Sequence, residues 1–254
     1  MRKLLVIGIG VGNPDFLTVQ AINALNEADV FFVFDKGESK SGLLRLRKDI
    51  CGRFIKEHAY RFVTIEDPVR DPEPHGYKHG VEDWHRERAA RLASRIAAEV
   101  GESGCGAFLV WGDPSLYDST LRLIGLLRDA GGLAFDCEVI PGISSVQALA
   151  ARHQLVLNTI GGTVQITTGR ALAENGLPPG ADSIVVMLDR GDGLRAAARE
   201  DVDIHWGAYL GTPDEQLVCG RLRDVIDEIE RIRAAGKARN GWIMDTYLLR
   251  RRPQ

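Results

Sequence analysis

Apolar residues in this chain fall in short runs that alternate with glycine-rich turns and helix-periodic segments. Lys3 to Ile9 is a continuous apolar run of strand length. Gly8, Gly10 and Gly12 and then Asn13-Pro14-Asp15 close it, and Phe16 to Asn26 follows at helical spacing. The same succession returns mid-chain. Ala107 to Trp111 reads as a buried strand, and Gly112-Asp113-Pro114 breaks it, because glycine permits a sharp turn and proline withholds a backbone N–H. Thr120 to Arg128 then carries Leu121, Ile124 and Leu127 at helical spacing, with Ser115 or Asp118 placed to cap it. A third unit joins a strand, Leu133 to Val139, through Ile140-Pro141-Gly142-Ile143-Ser144-Ser145 to a helix, Val146 to Arg152, with Ser144 at the N-cap. Repeated strand–loop–helix units predict an α/β fold, in which ligands gather at the carboxyl ends of strands.

Between these units, Val30 to Phe34 reads as a strand ending on Asp35, and the chain is then polar and basic through Lys48. Arg61 to Ile65 is a further strand, and the prolines of Glu66-Asp67-Pro68-Val69-Arg70-Asp71-Pro72-Glu73-Pro74 predict an irregular exposed segment. His75, Lys78, His79, His85, Arg86, Arg88 and Arg91 come next, the later ones on a helix reaching about Val100. From Thr163 the pattern gives strands at Val164–Thr168, Ser183–Leu188, Ile204–Tyr209 and Trp242–Leu249, and helices up to Glu200 and over Leu222–Ala235. The expectation is two α/β domains, 1–158 and 159–254.

Composition narrows the function. With 44% hydrophobic and 26% charged residues and a net charge of -3 over 254 residues, the chain is a folded globule without the basic field that nucleic acid requires. An anionic partner must therefore meet a local patch, and the basic segment from His75 to Arg91 suits a carboxylate-rich substrate. The four cysteines are far apart with no CxxC pair, and the histidine spacing matches no metal pattern. No disulfide framework and no metal are expected, and a reducing cytoplasm is the natural setting. The start MRKLLVIGIGVG imitates a signal peptide but lacks a small-residue cleavage site, and no apolar run reaches membrane-spanning length.

The first loop invites comparison with nucleotide-binding schemes. A G-x-G-x-x-G fingerprint fails because its third glycine would fall at Asn13. A Rossmann-like methyltransferase loop, G-x-G-x-G with an acid ending the second strand, is met by Asp35 and stays open.

Taken in order, the glycine-rich first loop with Pro14-Asp15 and Leu17-Thr18, the Gly112-Asp113-Pro114 loop, the Pro141-Gly142-Ile143-Ser144 loop and the later strand ending at Met187 resemble the tetrapyrrole (precorrin) methylase family over nearly the whole chain. That resemblance implies two α/β domains with S-adenosylmethionine in the cleft between them, a homodimer and a precorrin substrate. The implied cofactor residues are Gly10, Val11, Gly112, Asp113, Leu116, Tyr117, Ser144, Ser145, Met187, Ala208, Tyr209 and Leu210. Lys36, Arg45, His79, Arg86 and Arg122 are the candidates to meet the acetate and propionate groups of such a substrate. Within the family, WGAYLGTPDEQLVCGRL and GWIMDTYLLRR resemble the member that methylates C-1 of precorrin-5 and releases acetate. One departure matters. Uroporphyrinogen methylases continue their Gly-Asp-Pro with a Phe-Gly-Arg-type sequence, whereas this chain reads Leu116-Tyr117-Asp118-Ser119, so no catalytic arginine carries over. Tyr117, Asp118 and His85, with His79, are the titratable candidates for the hydrolytic step. The competing implications are another precorrin or diphthine-type methyltransferase, and a non-catalytic tetrapyrrole binder.

Overall fold

The computed structural model describes residues 1–35, 41–68 and 77–251, the side chains of 41–42 and 77–82 apart. Every N-terminal apolar run becomes a parallel strand. β1 (Arg2–Gly8), β2 (Val30–Asp35), β3 (Arg61–Glu66), β4 (Cys105–Val110) and β5 (Phe135–Ile140) form one sheet in the order β3-β2-β4-β1-β5. Successive side chains of a strand point to opposite faces, so a strand covered on both faces must be apolar throughout. Leu5 and Ile7 accordingly pack with α1 (Val19–Leu25) and α2 (Ser41–Phe54), through Ala21, Leu25, Ile50 and Cys51. Leu4 and Val6 pack on the other face with α3 (Tyr77–Glu99) and α4 (Thr120–Ala130), through Leu92, Ile96, Leu123 and Leu127. The adjacent strands β1 and β4 thus send their helices to opposite faces, which makes the carboxyl ends of this pair a topological switch point.

The second sheet is mixed. β6 (Val164–Thr168), β7 (Ser183–Met187), β8 (Val202–Ala208), β9 (Gln216–Arg221) and β10 (Asp245–Arg251) run in the order β6-β7-β10-β8-β9, with β6–β7 parallel and the rest antiparallel. α6 (Gly169–Asn175), α7 (Asp192–Ala197) and α8 (Leu222–Asn240) bury Leu172, Leu194 and Ile229 against Trp206 and Tyr247. The carboxylate of Asp189 accepts from the N–H groups of Gly191, Gly193 and Leu194 and from the Tyr247 hydroxyl, which ties the start of α7 to β10.

The chain divides into two compact units, Met1–Gly10 with Pro14–Ile143, and Val11–Asn13 with Ser144–Gln254. The break therefore falls ahead of α5 (Ser145–Arg152) instead of at 158/159. The reason is local: α5 packs against β8 and β10, Thr246 Oγ1 donates to Ser145 Oγ at 2.9 Å, and a His153 ring nitrogen lies 3.0 Å from the Trp206 carbonyl. Three further differences are elements absent from the pattern reading: α2, α6 and β9. Arginines and lysines hide the apolar stripe of α2, α6 buries only Gly169 and Leu172, and β9 is an edge strand with Val218 as its one buried side chain. The N-cap of α4 is Ser119, which makes no side-chain cap; of the two candidates only Asp118, one residue earlier, meets the helix start, its Oδ1 accepting from Thr120 N at 2.6 Å, while Ser115 turns back to Asp113.

Candidate active site

Three glycines bring the loops after β1, β4 and β5 into backbone contact. A Cβ on Gly8 would stand 2.6 Å from Gly142 N, and one on Gly142 would stand 2.2 Å from the Gly112 carbonyl oxygen, so side chains are barred from this junction. Gly10 (φ 72°) and Gly112 (φ 70°) pair antiparallel, with Gly112 N donating to Gly10 O at 2.8 Å. Asp113 completes the arrangement: one oxygen accepts from Gly142 N at 2.9 Å and the other from Ser115 N at 2.9 Å and from the Ser115 hydroxyl. Burial pushes the Asp113 carboxyl upward, but the hydrogen bonds from Ser115 and Gly142 outweigh it and leave its pKa lowered. Asp113 is therefore a carboxylate that locks two loops together.

Left-handed backbone occurs in both units. Among the described residues, four that are not glycine have it: Tyr117 (φ 52°), Gln154 (φ 53°), Leu188 (φ 54°) and Tyr209 (φ 51°). Such conformations cost on the order of 1 kcal/mol each and persist where the surroundings impose them. Gln154 merely ends α5, whereas Tyr117, Tyr209 and the neighbour of Met187 are positions already singled out. In the C-terminal unit Tyr209 is pinned by Tyr209 N to Met244 O (2.9 Å), by its hydroxyl to Trp242 O (2.5 Å) and by Thr212 Oγ1 to its own carbonyl (2.7 Å). Ala208, Tyr209 and Leu210 are buried, and Ser144 closes a capping box with Gln147 at the start of α5. Tyr117 is 45% exposed, and partial burial raises its phenol pKa.

A cavity of about 80 Å³ lies beside the central loop, lined by Phe34, Arg47, Phe108, Arg88, Asp118 and Ser119 among others. Arg47 Nε donates to the Leu109 carbonyl at 3.0 Å. Arg88 forms a buried ion pair with Asp67 (2.8 Å), donates to Ser119 Oγ (3.2 Å) and stacks on Phe34 (3.9 Å) and Trp84 (4.4 Å). Desolvation lowers the pKa of both guanidinium groups, and the Asp118 charge works the other way. The basic residues picked from sequence lie elsewhere. Arg45 and Arg122 are exposed, Arg86 is exposed and paired with Asp83 at 2.9 Å, Lys36 lies outside the described residues, and so does the side chain of His79. His85 is buried at 6% exposure beside Trp84, so its ring is part of the packing of α3 and not a group presented at the surface.

Asp35 ends β2, and β4 separates β2 from β1. In the Rossmann-like scheme the acid-bearing second strand adjoins the first, so that reading is set aside. The model of the family Tetrapyrrole (Corrin/Porphyrin) Methylases matches residues 3–226. The chain belongs to this family. The methylase is 49% identical over 251 residues, 99% of its own length and 96% of the relative's, to a Sinorhizobium protein named precorrin-6A synthase [deacetylating]. It is 31% identical over 181 residues to a Sinorhizobium precorrin-2 C(20)-methyltransferase, spanning 68% of this chain and 69% of that one. Among solved structures it resembles a putative cobalamin synthesis related protein (CobF) from Corynebacterium diphtheriae, with a TM-score of 0.84, 41% identity and 98% of each chain covered. The half-buried Arg47 of the methylase escaped the sequence reading and the buried Arg88 was read only as part of the basic segment, though a signal existed. Arg47 keeps helical step with Ile50, Cys51 and Phe54, and Arg88 with Leu92 and Ile96, so both lie on core-facing stripes.

Proposed function

We propose that this methylase is a precorrin-6A synthase (deacetylating), which methylates precorrin-5 at C-1 and releases acetate, a step of cobalamin biosynthesis. The observation that carries the reading is the similarity to the Sinorhizobium protein of that name along essentially the full length of both chains. The loops also fit the donor. Over 8–13, 112–118 and 141–145 they contain no Lys, Arg or His, and offer backbone groups, hydroxyls and the carboxylates of Asp113 and Asp118, a set suited to the positive charge of S-adenosylmethionine. When bound, S-adenosylmethionine supplies an already activated methyl group, so the protein's part in that step is alignment.

The cofactor shell of the proposal is Gly10, Val11, Gly112, Asp113, Leu116, Tyr117, Ser144, Ser145, Met187 and Ala208–Leu210, acting chiefly through backbone atoms. Arg47, half-buried beside the central loop, joins Arg45, Arg86 and Arg122 as a cation for the substrate's carboxylates, while Arg88 braces the wall of the cavity through Asp67 and Ser119. Acetate release is a hydrolysis: water adds to the acetyl carbonyl, the bond to the ring carbon breaks, and that carbon takes a proton. Tyr117, a phenol that is protonated at neutral pH and that burial shifts further in that direction, serves as donor to the carbonyl oxygen, and Asp118 as the group that orients water. The same reading carries a homodimer and a cytoplasmic setting; no helix among the described residues is long and apolar enough to cross a membrane.

The test is an incubation with methyl-labelled S-adenosylmethionine and precorrin-5 made by the preceding enzymes. The expected product gains the label and lacks the acetyl unit by mass. Methylation without acetyl loss would reject the deacetylating assignment, and transfer to precorrin-2 in place of precorrin-5 would favour the activity named for the 31% identical relative.

A further inference from the structure

His153, His205 and Cys219 take no part in the site above, yet the C-terminal unit brings them together. His205 and Cys219 are direct cross-strand partners in the antiparallel β8–β9 pair. His153 caps the carboxyl end of α5, which packs on β8, and its ring meets that of His205 edge-on, 5.2 Å between centroids at 72°. One ligating atom from each of the three residues lies within 4.8 Å of the others. The surroundings of both imidazoles suit metal ligation. His153 Nε2 is 3.0 Å from the Trp206 carbonyl, which makes it the N–H nitrogen and leaves Nδ1 with a free lone pair. His205 Nδ1 is buried and has no hydrogen-bond partner among the described residues, an orphaned acceptor that a cation would satisfy.

We propose that His153, His205 and Cys219 form a transition-metal site that takes Zn(II) or a similar borderline-soft divalent ion through two imidazoles and a thiolate, with water in the fourth position. Thiolate and imidazole select such ions over Mg(II) and Ca(II). Zn–N bonds of about 2.1 Å and Zn–S bonds of about 2.3 Å put tetrahedral ligand atoms roughly 3.5 Å apart, so binding asks the trio to close by no more than about 1.3 Å. Cys219 is exposed on an edge strand and has the freedom to make that adjustment, releasing its proton to solvent as the thiolate forms. The bound ion clips the end of α5 to β8 and β9. Donors spread over positions 153, 205 and 219 leave no local spacing for a sequence pattern to detect, which is why a reading by spacing finds no metal here.

The test uses untagged protein stripped by a chelator, titrated calorimetrically with Zn(II) and by absorption with Co(II). One equivalent per chain should bind, Zn(II) should raise the thermal midpoint, and Co(II) should give tetrahedral d–d bands with a thiolate charge-transfer band. Cys219→Ser, a change at an exposed side chain, should abolish the charge-transfer band and weaken Zn(II) binding at least about tenfold. His205→Gln should weaken it likewise, and Cys137→Ser should leave binding unchanged. Absence of saturable binding, or binding that Cys219→Ser and His205→Gln both leave intact, would overturn the site.

Discussion

Asp113 joins two loops through backbone donors, and its removal leaves Gly142 N and Ser115 N without their partner. Hydrogen bonds to a charged group are worth about 1.5–3 kcal/mol when buried, and Asp113 is only partly so; Asp113→Ala should lower unfolding free energy by about 2 kcal/mol in total. It should also weaken S-adenosylhomocysteine binding in calorimetry far more than Asp35→Ala, because Asp35 stands at the exposed end of a strand that does not adjoin the glycine loop. The reverse ranking would reject the cofactor shell. A pH dependence follows from the same carboxylate. Its folded pKa is lowered, so its contribution to stability is present above the unfolded aspartate value of about 3.9 and is lost as pH falls through the folded value. Asp113→Asn should therefore flatten the acid limb of stability, measured by urea denaturation across that range.

Among elements, the loops that pack backbone on backbone should tolerate substitution least. Gly142→Ala puts a methyl 2.2 Å from a carbonyl oxygen that cannot rotate away, and it should cost at least about 3 kcal/mol, the upper end for overpacking. Gly125, inside α4 with nothing within 4 Å of an added Cβ, should gain roughly 0.5–1 kcal/mol on change to Ala. Thermal denaturation of both variants checks the contrast. Arg86 and Arg88 give a second one, two residues apart on α3. Arg86 shares an exposed pair, so Arg86→Glu should alter stability by less than about 1 kcal/mol. Arg88→Lys loses the fork that reaches Asp67 and Ser119 together with the stacking on Phe34 and Trp84, and should cost about 1–3 kcal/mol. These elements also mark what the sequence could convey. Strands buried on both faces, such as β1 and β4, announce themselves as unbroken apolar runs, and Gly-Asp-Pro and Pro-Gly mark their ends. β9, with one buried side chain, and Arg88, a charged residue on a core-facing stripe, give a pattern reader the wrong sign.

For the whole molecule, order along the chain was more informative than any one motif: three loops and a strand end in sequence pointed to the family, whereas the domain break depended on contacts that α5 makes with β8 and β10, and the placement of Arg47 and Arg88 on contacts with Leu109, Asp67 and Ser119 far along the chain. The two chemical steps of the proposed reaction make unequal demands on this fold. Methyl transfer depends on holding donor and ring carbon in line, a task the proposed cofactor shell would perform chiefly through backbone atoms of the glycine-containing loops. Acetyl loss requires a directed water and a donor for the carbonyl oxygen, which only side chains supply. The steps should therefore separate by mutation. Tyr117→Phe keeps the strained backbone at φ 52° and removes only the hydroxyl, and Asp118→Asn keeps an acceptor for Thr120 N while removing the charge near Arg47 and Arg88. His85→Gln and His79→Gln complete the set. At least one variant, with Tyr117→Phe the first choice, should yield a product that carries the new methyl group and still holds its acetyl unit, identified by mass. His85→Gln should instead act through stability, because its ring is buried against Trp84. If all four variants keep or lose both activities together, acetyl loss follows methylation without a dedicated side chain, and the roles given to Tyr117 and Asp118 fall.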